Sequence, residues 1–123
     1  MEILAARVLL HPVDMARSLE FYRDELGLAV FREFPGGTVF FLGGGYLELS
    51  RSAEQPAGPA IGLWLQVRDL GAAHRELVEH VVREPRLEPW GLREMWIADP
   101  DGTRIVLVEV PAEHPMRRDI RAD

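Results

Sequence analysis

The side chains able to do acid–base or metal chemistry are few in this 123-residue chain. It contains no cysteine, which excludes thiolate chemistry and disulfide bonds. Its four histidines are His11, His74, His80 and His114. The second and third are six residues apart on a predicted helix and share no face, and the fourth lies in a tail. His11 therefore remains as a polar contact or titrating group, for which Glu48 or Glu94 could supply only a weak acid–base partner.

An internal repeat indicates the elements that position these residues. Residues 9–27, LLHPVDMARSLEFYRDELG, contain an apolar strand, an aspartate that caps a helix and a glycine that ends it. Residues 63–81, LWLQVRDLGAAHRELVEHV, repeat this order, with Asp69 in the place of Asp14. The sequence therefore contains two copies of one structural unit.

Apolar periodicity predicts β-α-β-β-β in each half. The first half has strands over about 3–11, 28–34, 39–42 and 46–50, with a helix over 14–26. The second has strands over 61–67, 93–98 and 104–110, a helix over 69–82 and a short edge strand within 83–90. We expect a single domain over 1–123, made of module 1 at about 1–52, a linker at 51–60, module 2 at about 59–112 and a tail at 111–123.

Composition favours a globular, cytoplasmic protein, with 47% hydrophobic and 28% charged residues. No apolar run approaches the ~20 residues of a membrane span, and the N-terminus lacks the layout of a signal peptide. The net charge of −6 argues against nucleic acid as a partner and mildly favours neutral or cationic ligands.

Two groups of motifs suggest a family. The first is Asp14…Ser18…Phe21-Tyr22-Arg23…Leu26-Gly27-Leu28, and the second is Val67…Asp69 with Asp99-Pro100-Asp101-Gly102…Ile105. Over about residues 5–110 the chain resembles the vicinal-oxygen-chelate superfamily, which includes glyoxalase I, extradiol dioxygenases and the bleomycin-resistance proteins. The resemblance implies an α+β fold in which two βαβββ modules form a curved mixed sheet around a cleft. It specifies fold rather than function.

In that superfamily, four inward strand positions hold a divalent metal. The matching positions here are Arg7, Glu48, Gly62 and Val106. Such a metal needs carboxylates or imidazoles, which only Glu48 approximates, because glycine and valine have no ligand atom and arginine is a permanent cation. We therefore expect no metal, no cofactor and no catalytic residues.

Arg7 and Glu48 should approach each other, because both positions converge on one metal in the metal-binding relatives. We expect an ion pair that replaces the metal, with the guanidinium roughly in the cation's place. The alternative is that both side chains simply reach solvent at the mouth of the cleft.

Strand alternation predicts the side chains that would line the cleft and contact a ligand. They are Arg7, Leu9, His11, Val39, Phe41, Tyr46 and Glu48 in the first half, and Trp64, Gln66, Glu94, Trp96, Arg104 and Val106 in the second, with Trp90 as a possible lid. Several aromatic rings with separated polar groups suit a flat organic molecule. The alternative is that Trp64 and Trp96 fill a collapsed core.

Together with these residues, the resemblance implies a metal-independent protein of the glyoxalase/bleomycin-resistance type that sequesters a drug-like or aromatic natural product, giving antibiotic resistance. One alternative is an enzyme of this fold, a lyase, isomerase or dioxygenase, and another is an interaction domain without a ligand. Because each half would be marginal alone, we also expect a homodimer.

Overall fold

The computed structural model describes residues 1–116, which form two compact units. The first unit contains residues 1–60 together with 99–103, and the second contains residues 61–98 and the chain from 104 onward. Within residues 1–116, no helix is long and apolar enough to cross a membrane.

The first unit has the predicted order of elements. Its strands and helix are β1 (Arg7–Leu10), α1 (Met15–Glu20), a π-helical turn (Phe21–Glu25), β2 (Val30–Phe34), β3 (Gly37–Leu42) and β4 (Gly45–Ser50). The sheet order is β1-β4-β3-β2, in which only the β1–β4 pair is parallel. The sheet is therefore mixed, as predicted.

The helical segment of the first unit begins and ends near the predicted residues, but only its first part, Met15–Glu20, is an α-helix. The Asp14 side chain accepts a hydrogen bond from the Arg17 amide at 3.2 Å and so caps α1. The wider π turn follows, in which the Leu26 amide donates to the Phe21 carbonyl at 2.7 Å. Gly27 then adopts φ 78°, a left-handed conformation that favours glycine and ends the helix.

The second unit repeats this arrangement. Its elements are β5 (Gly62–Gln66), α2 (Leu70–Glu76), a 3₁₀ turn (Val78–His80), β6 (Val81–Leu87), β7 (Arg93–Ala98) and β8 (Arg104–Glu109). The sheet order is β5-β8-β7-β6, again with one parallel pair. Asp69 caps α2 through the Ala72 amide at 3.0 Å, and Glu109 accepts from the Leu70 amide at 2.8 Å. Each unit is a βαβββ module, which confirms the α+β fold class.

The second helix is shorter than predicted. The sequence pattern extended it to residue 82, but the α-helix ends at Glu76, and Val81 and Val82 belong to β6. Valine fits a strand better than a helix, and Val81 pairs with Ile97 across the sheet. Strand β6 tolerates Pro85 because it lies at the sheet edge, where its register with β7 shifts.

The two faces of each sheet differ in burial. One face contributes the core, in which Phe40, Leu47 and Leu49 of the first unit and Met95, Ile97, Ile105 and Leu107 of the second are at most 2% exposed. Phe21 and Tyr22 join the first core from the π turn. The other face of the first sheet carries Tyr46 and Glu48, and that of the second carries Trp64 and Trp96. We call these the first and second aromatic faces.

Candidate functional site

Arg7 and Glu48 form an ion pair on the first aromatic face. Arg7 Nη1 lies 2.8 Å from Glu48 Oε1, so the predicted contact is confirmed. The parallel pairing of β1 with β4 produces this contact. It places Arg7 beside Tyr46 and Leu9 beside Glu48, so the Arg7 and Glu48 side chains lie on the same face of the sheet. The Glu48 side chain is 15% exposed, so the carboxylate is shielded from much of the solvent.

The second oxygen of the Glu48 carboxylate is also bound. The Ser50 hydroxyl donates to Glu48 Oε2 at 2.7 Å. This hydrogen bond and the one from Arg7 hold the pKa of the Glu48 carboxyl below its usual range, against a smaller opposite effect of burial. Glu48 is therefore ionised at neutral pH and has a partner on each oxygen.

The four positions that hold a metal in relatives do not fit one here. The Glu48 carboxylate already accepts a hydrogen bond from the Arg7 guanidinium, and the Val106 side chain has no atom that can bind a metal. At Gly62, even a Cβ atom would lie 3.2 Å from the Arg104 carbonyl oxygen, closer than such contacts normally are. Within residues 1–116, no three His, Cys, Asp or Glu side chains are grouped to hold a metal ion.

Three aromatic rings pack together beside the ion pair, and we call them the aromatic cluster: Phe31, Phe41 and Tyr46. The Phe31 centroid lies 4.7 Å from that of Tyr46 and 5.1 Å from that of Phe41. Phe31 is 43% exposed and Phe41 is 46% exposed. The Arg7 guanidinium carbon lies 5.9 Å from the Tyr46 centroid, so the charge pair and the cluster are contiguous.

Phe31 was not among the residues predicted from sequence. Its direction depends on the register of β2 with β3, where a shift occurs between Val30 and Arg32. Val30 pairs with Phe40 of the core, so the next residue points to the opposite face. The alternating pattern of residues 28–34 indicated that every second side chain points to the same face. Only the register of β2 with β3 decides which of the two sets of side chains is exposed.

The remaining predicted residues of the first unit differ in accessibility. Leu9 is 55% exposed, whereas Val39 is fully buried and offers no surface to a ligand. His11 Nδ1 donates a hydrogen bond to the Ser50 carbonyl oxygen. The Glu48 oxygens bind Arg7 and Ser50, and among residues 1–116 no hydrogen bond joins His11 to Glu48, its predicted acid–base partner.

The second aromatic face is a regular grid of three rows across strands β5, β8 and β7. From one end to the other, the rows are Gly62–Arg104–Ala98, Trp64–Val106–Trp96 and Gln66–Val108–Glu94. The two tryptophans thus stand on either side of the smaller Val106. Trp64 is 48% exposed, so it is not a buried core residue.

Trp96 lies between two arginines that come from the strands on either side of β7. The guanidinium carbons of Arg83 and Arg104 lie 4.4 and 4.7 Å from its ring centroid, within the range of cation–π attraction. Its indole Nε1 is buried without a hydrogen-bond partner among residues 1–116, as is Nε of Arg83. Glu88 Oε2 is likewise a buried acceptor without a hydrogen bond of good geometry among these residues, although Arg83 Nη2 lies 2.6 Å away.

Glu88 is a buried charge that sequence reasoning missed. Its side chain is 1% exposed and lies 2.6 Å from Arg83 Nη2 and 3.1 Å from Arg86 Nε. Burial raises the pKa of the Glu88 carboxyl, but the hydrogen bonds from the two arginines outweigh this and hold it below its usual range. A glutamate in a polar stretch gave no sign of burial in the sequence.

Trp90 and Glu94 contact each other directly. Trp90 Nε1 donates to Glu94 Oε2 at 2.7 Å, and the Trp90 carbonyl accepts from His114 Nε2 at 3.1 Å. Glu94 is buried, whereas the Trp90 side chain remains more than half exposed. The proposed lid role of Trp90 stays a prediction, since this structure shows a single position for the loop.

Comparisons with known proteins agree with the fold. The family model described as the Glyoxalase/Bleomycin resistance protein/Dioxygenase superfamily matches residues 5–107. No curated protein sequence matches the chain.

Solved structures show the same architecture at low sequence identity. A glyoxalase/bleomycin resistance protein/dioxygenase from Nocardioides has a TM-score of 0.74 and 20% identity, over 94% of this chain and 89% of that one. A glyoxalase-related enzyme from Fulvimarina pelagi has a TM-score of 0.72 and 20% identity, over 91% of both chains. A superfamily member from Sphaerobacter thermophilus has a TM-score of 0.69 and 24% identity, over 88% and 98%. The structures share the fold, and the family model shows that this chain belongs to the glyoxalase/bleomycin resistance protein/dioxygenase superfamily.

Proposed function

We propose that this protein is a metal-independent binder of the bleomycin-resistance kind, which sequesters a flat aromatic or drug-like natural product and so gives resistance to it. The observation that carries the proposal is the set of half-exposed rings on the aromatic faces, Phe31, Phe41 and Trp64. Exposed apolar surface of this kind marks ligand or partner sites.

The aromatic cluster supports stacking as the mode of binding. Its rings are already packed against one another at centroid distances of 4.7–5.9 Å, so they lose little freedom when a ligand arrives. Aromatic pairs prefer the same range of distances, which suits a planar compound placed on Phe31 and Phe41.

The Arg7–Glu48 pair supports binding without a metal. Glu48 is the one carboxylate among the four positions that hold a metal in relatives, and the Arg7 cation lies against it. The 2.8 Å contact engages Glu48 Oε1, an oxygen that a metal would need as a ligand. Sequestration would act in the cytoplasm, because a compound must be bound before it reaches an intracellular target.

The test is a thermal-shift and calorimetric screen with planar aromatic natural products, bleomycin among them, followed by chemical analysis of the recovered compound. We expect binding with the compound unchanged, and a loss of about tenfold or more in affinity when Phe31 and Phe41 are both replaced by alanine. The control is Val13→Ala with Val78→Ala, which removes exposed apolar side chains outside both sheets. Chemical conversion of the compound would instead favour the alternative of an enzyme, and equal affinity in the two double variants would contradict the proposed site.

A further inference from the structure

We propose that the second aromatic face selects planar aromatic compounds that carry a negative charge, such as aromatic carboxylates, and that Arg104 binds the anionic group while Trp64 stacks on the ring. This inference rests on the proposed function, because it names the class of compound that the site would take.

The spacing of the grid provides room for a ring. Trp64 and Trp96 lie on strands separated by β8, so their backbones are two strand spacings apart, about 10 Å. The residue between them is Val106, whose short side chain forms a floor. A ring placed over Val106 would lie beside Trp64 and could stack on it, whereas the Trp96 ring already has the Arg104 guanidinium carbon 4.7 Å from its centroid.

A guanidinium borders this space, because the Arg104 guanidinium carbon lies 4.7 Å from the Trp96 centroid. Arg104 has Gly62 on one side and Ala98 on the other, so no large side chain covers it across the sheet. Arg104 is exposed and makes no ion pair or hydrogen bond with other side chains of residues 1–116. Its forked donors match a carboxylate in geometry.

The other charges around this face are already paired. Arg83 contacts the buried Glu88, and Arg86 contacts the same carboxylate. At the opposite end of the grid, Glu94 accepts from Trp90. Among the described residues, Arg104 is therefore the charge on this face that lacks a carboxylate partner; its guanidinium lies over the Trp96 ring, and the whole chain has a net charge of −6.

The exposed donors of Arg104 favour the same ligand. Arg104 offers several N–H groups that have no side-chain acceptor among the described residues. A ligand ammonium group would bring more donors to this region, whereas a carboxylate would bring acceptors. The expectation from net charge alone, a neutral or cationic ligand, is thus reversed by the local arrangement.

The experiment compares three compounds of the same shape: 2-naphthoate, 2-naphthamide and 2-naphthylmethylamine. Their affinities for the full chain are measured by tryptophan fluorescence and calorimetry at low salt. We expect naphthoate to bind roughly tenfold or more tightly than naphthamide, with the amine weakest. In Arg104→Met the preference for naphthoate should disappear while naphthamide binding persists, and in Arg104→Lys it should be partly retained. The control is Arg75→Met, which removes an exposed charge on α2 and should leave the preference unchanged.

Equal affinities for naphthoate and naphthamide in the wild-type protein would overturn this inference and leave the proposed function standing. The same holds if the preference survives Arg104→Met or is lost equally in Arg75→Met. Absence of binding by all three compounds and by the natural products of the earlier screen would overturn the proposed function and this inference together. The wild-type comparison needs no variant, so a folding defect in Arg104→Met cannot hide the result.

Discussion

Tyr22 donates a hydrogen bond from its hydroxyl to Asp99 Oδ2 at 2.7 Å, although the two residues are 77 positions apart. Tyr22 belongs to the π turn, and Asp99 begins the Asp-Pro-Asp-Gly turn that leads into β8. The other oxygen of Asp99 accepts from the amides of Asp101 and Thr103 at 2.9 and 2.8 Å. The two sequence motifs that indicated the family therefore meet in one hydrogen-bond network of the first unit.

Removing this hydroxyl should destabilise the fold. In Tyr22→Phe the buried Asp99 carboxylate loses one charged hydrogen bond, which costs about 1.5–3 kcal/mol of unfolding free energy. Denaturant unfolding measures the change. The matched control is Tyr46→Phe, at the only other tyrosine of the chain. Because Tyr46 is partly exposed, we expect this variant to lose about 0.5 kcal/mol or less of unfolding free energy. Similar losses in the two variants would mean that the Tyr22–Asp99 bond contributes nothing specific.

The same contact predicts a loss of stability in alkali. Burial raises the pKa of the Tyr22 hydroxyl above its usual range, and the hydrogen bond to Asp99 and the nearby carboxylates raise it further. A group whose pKa is raised on folding contributes full stability below its unfolded pKa and loses it at higher pH. The unfolding free energy should thus fall above pH ~10, by up to about 1.4 kcal/mol per pH unit. Tyr22→Phe should show a shallower decline over this range, and an identical decline would exclude Tyr22 as its cause.

The Arg7–Glu48 pair should behave as a coupled unit. Arg7→Met or Glu48→Gln alone leaves a charge without its partner, so the double variant should lose less stability than the sum of the single ones. Chemical denaturation of the four proteins gives the coupling. The control cycle uses Arg23 and Asp24, an ion pair at 3.0 Å whose side chains are both exposed, where near-additivity is expected. Additive losses at Arg7 and Glu48 would show that their contact is energetically silent.

Binding of an aromatic compound should quench the tryptophan fluorescence of the second unit. Replacing both Trp64 and Trp96 by leucine should abolish the quenching and the affinity together, because these rings flank the space over Val106. Trp90, which remains in the double variant, reports any signal from the loop. Unchanged affinity in the double variant would mean that the two tryptophans only pack against their neighbours.

The protein should be a homodimer. Strand β1 lies at the edge of its sheet, and the apolar side chains of Met1, Ile3 and Leu4 before it are largely exposed, as is Leu9 within it. A second copy would cover such an edge, which otherwise invites aggregation. Light scattering at micromolar concentration measures the mass. A monomer there would contradict the prediction, and in a dimer we expect Leu9→Glu to shift the equilibrium toward monomer.

The sequence by itself determined the fold class, because capping aspartates, apolar periodicity and turn residues are local signals. Asp14 and Asp69 cap the two helices as expected, and the strand ends differ from the predicted ones by at most four residues. Alternation also placed Arg7, Tyr46 and Glu48 on one face, and the family resemblance, in which the positions of Arg7 and Glu48 converge on one metal, predicted the ion pair. The predicted tail beyond residue 116 lies outside the described residues.

Strand register and burial were decided only by the tertiary structure. The shift in β2 brings Phe31 onto Phe41 and Tyr46, and full burial removes Val39 from the predicted ligand surface. The end of α2 moved because Val81 gains a strand partner in Ile97, which a local pattern cannot reveal. The burial of Glu88 and its ion pairs with Arg83 and Arg86 likewise depend on the tertiary structure. Residue types fix which contacts are possible, but the pairing of strands distant in sequence decides which of them form.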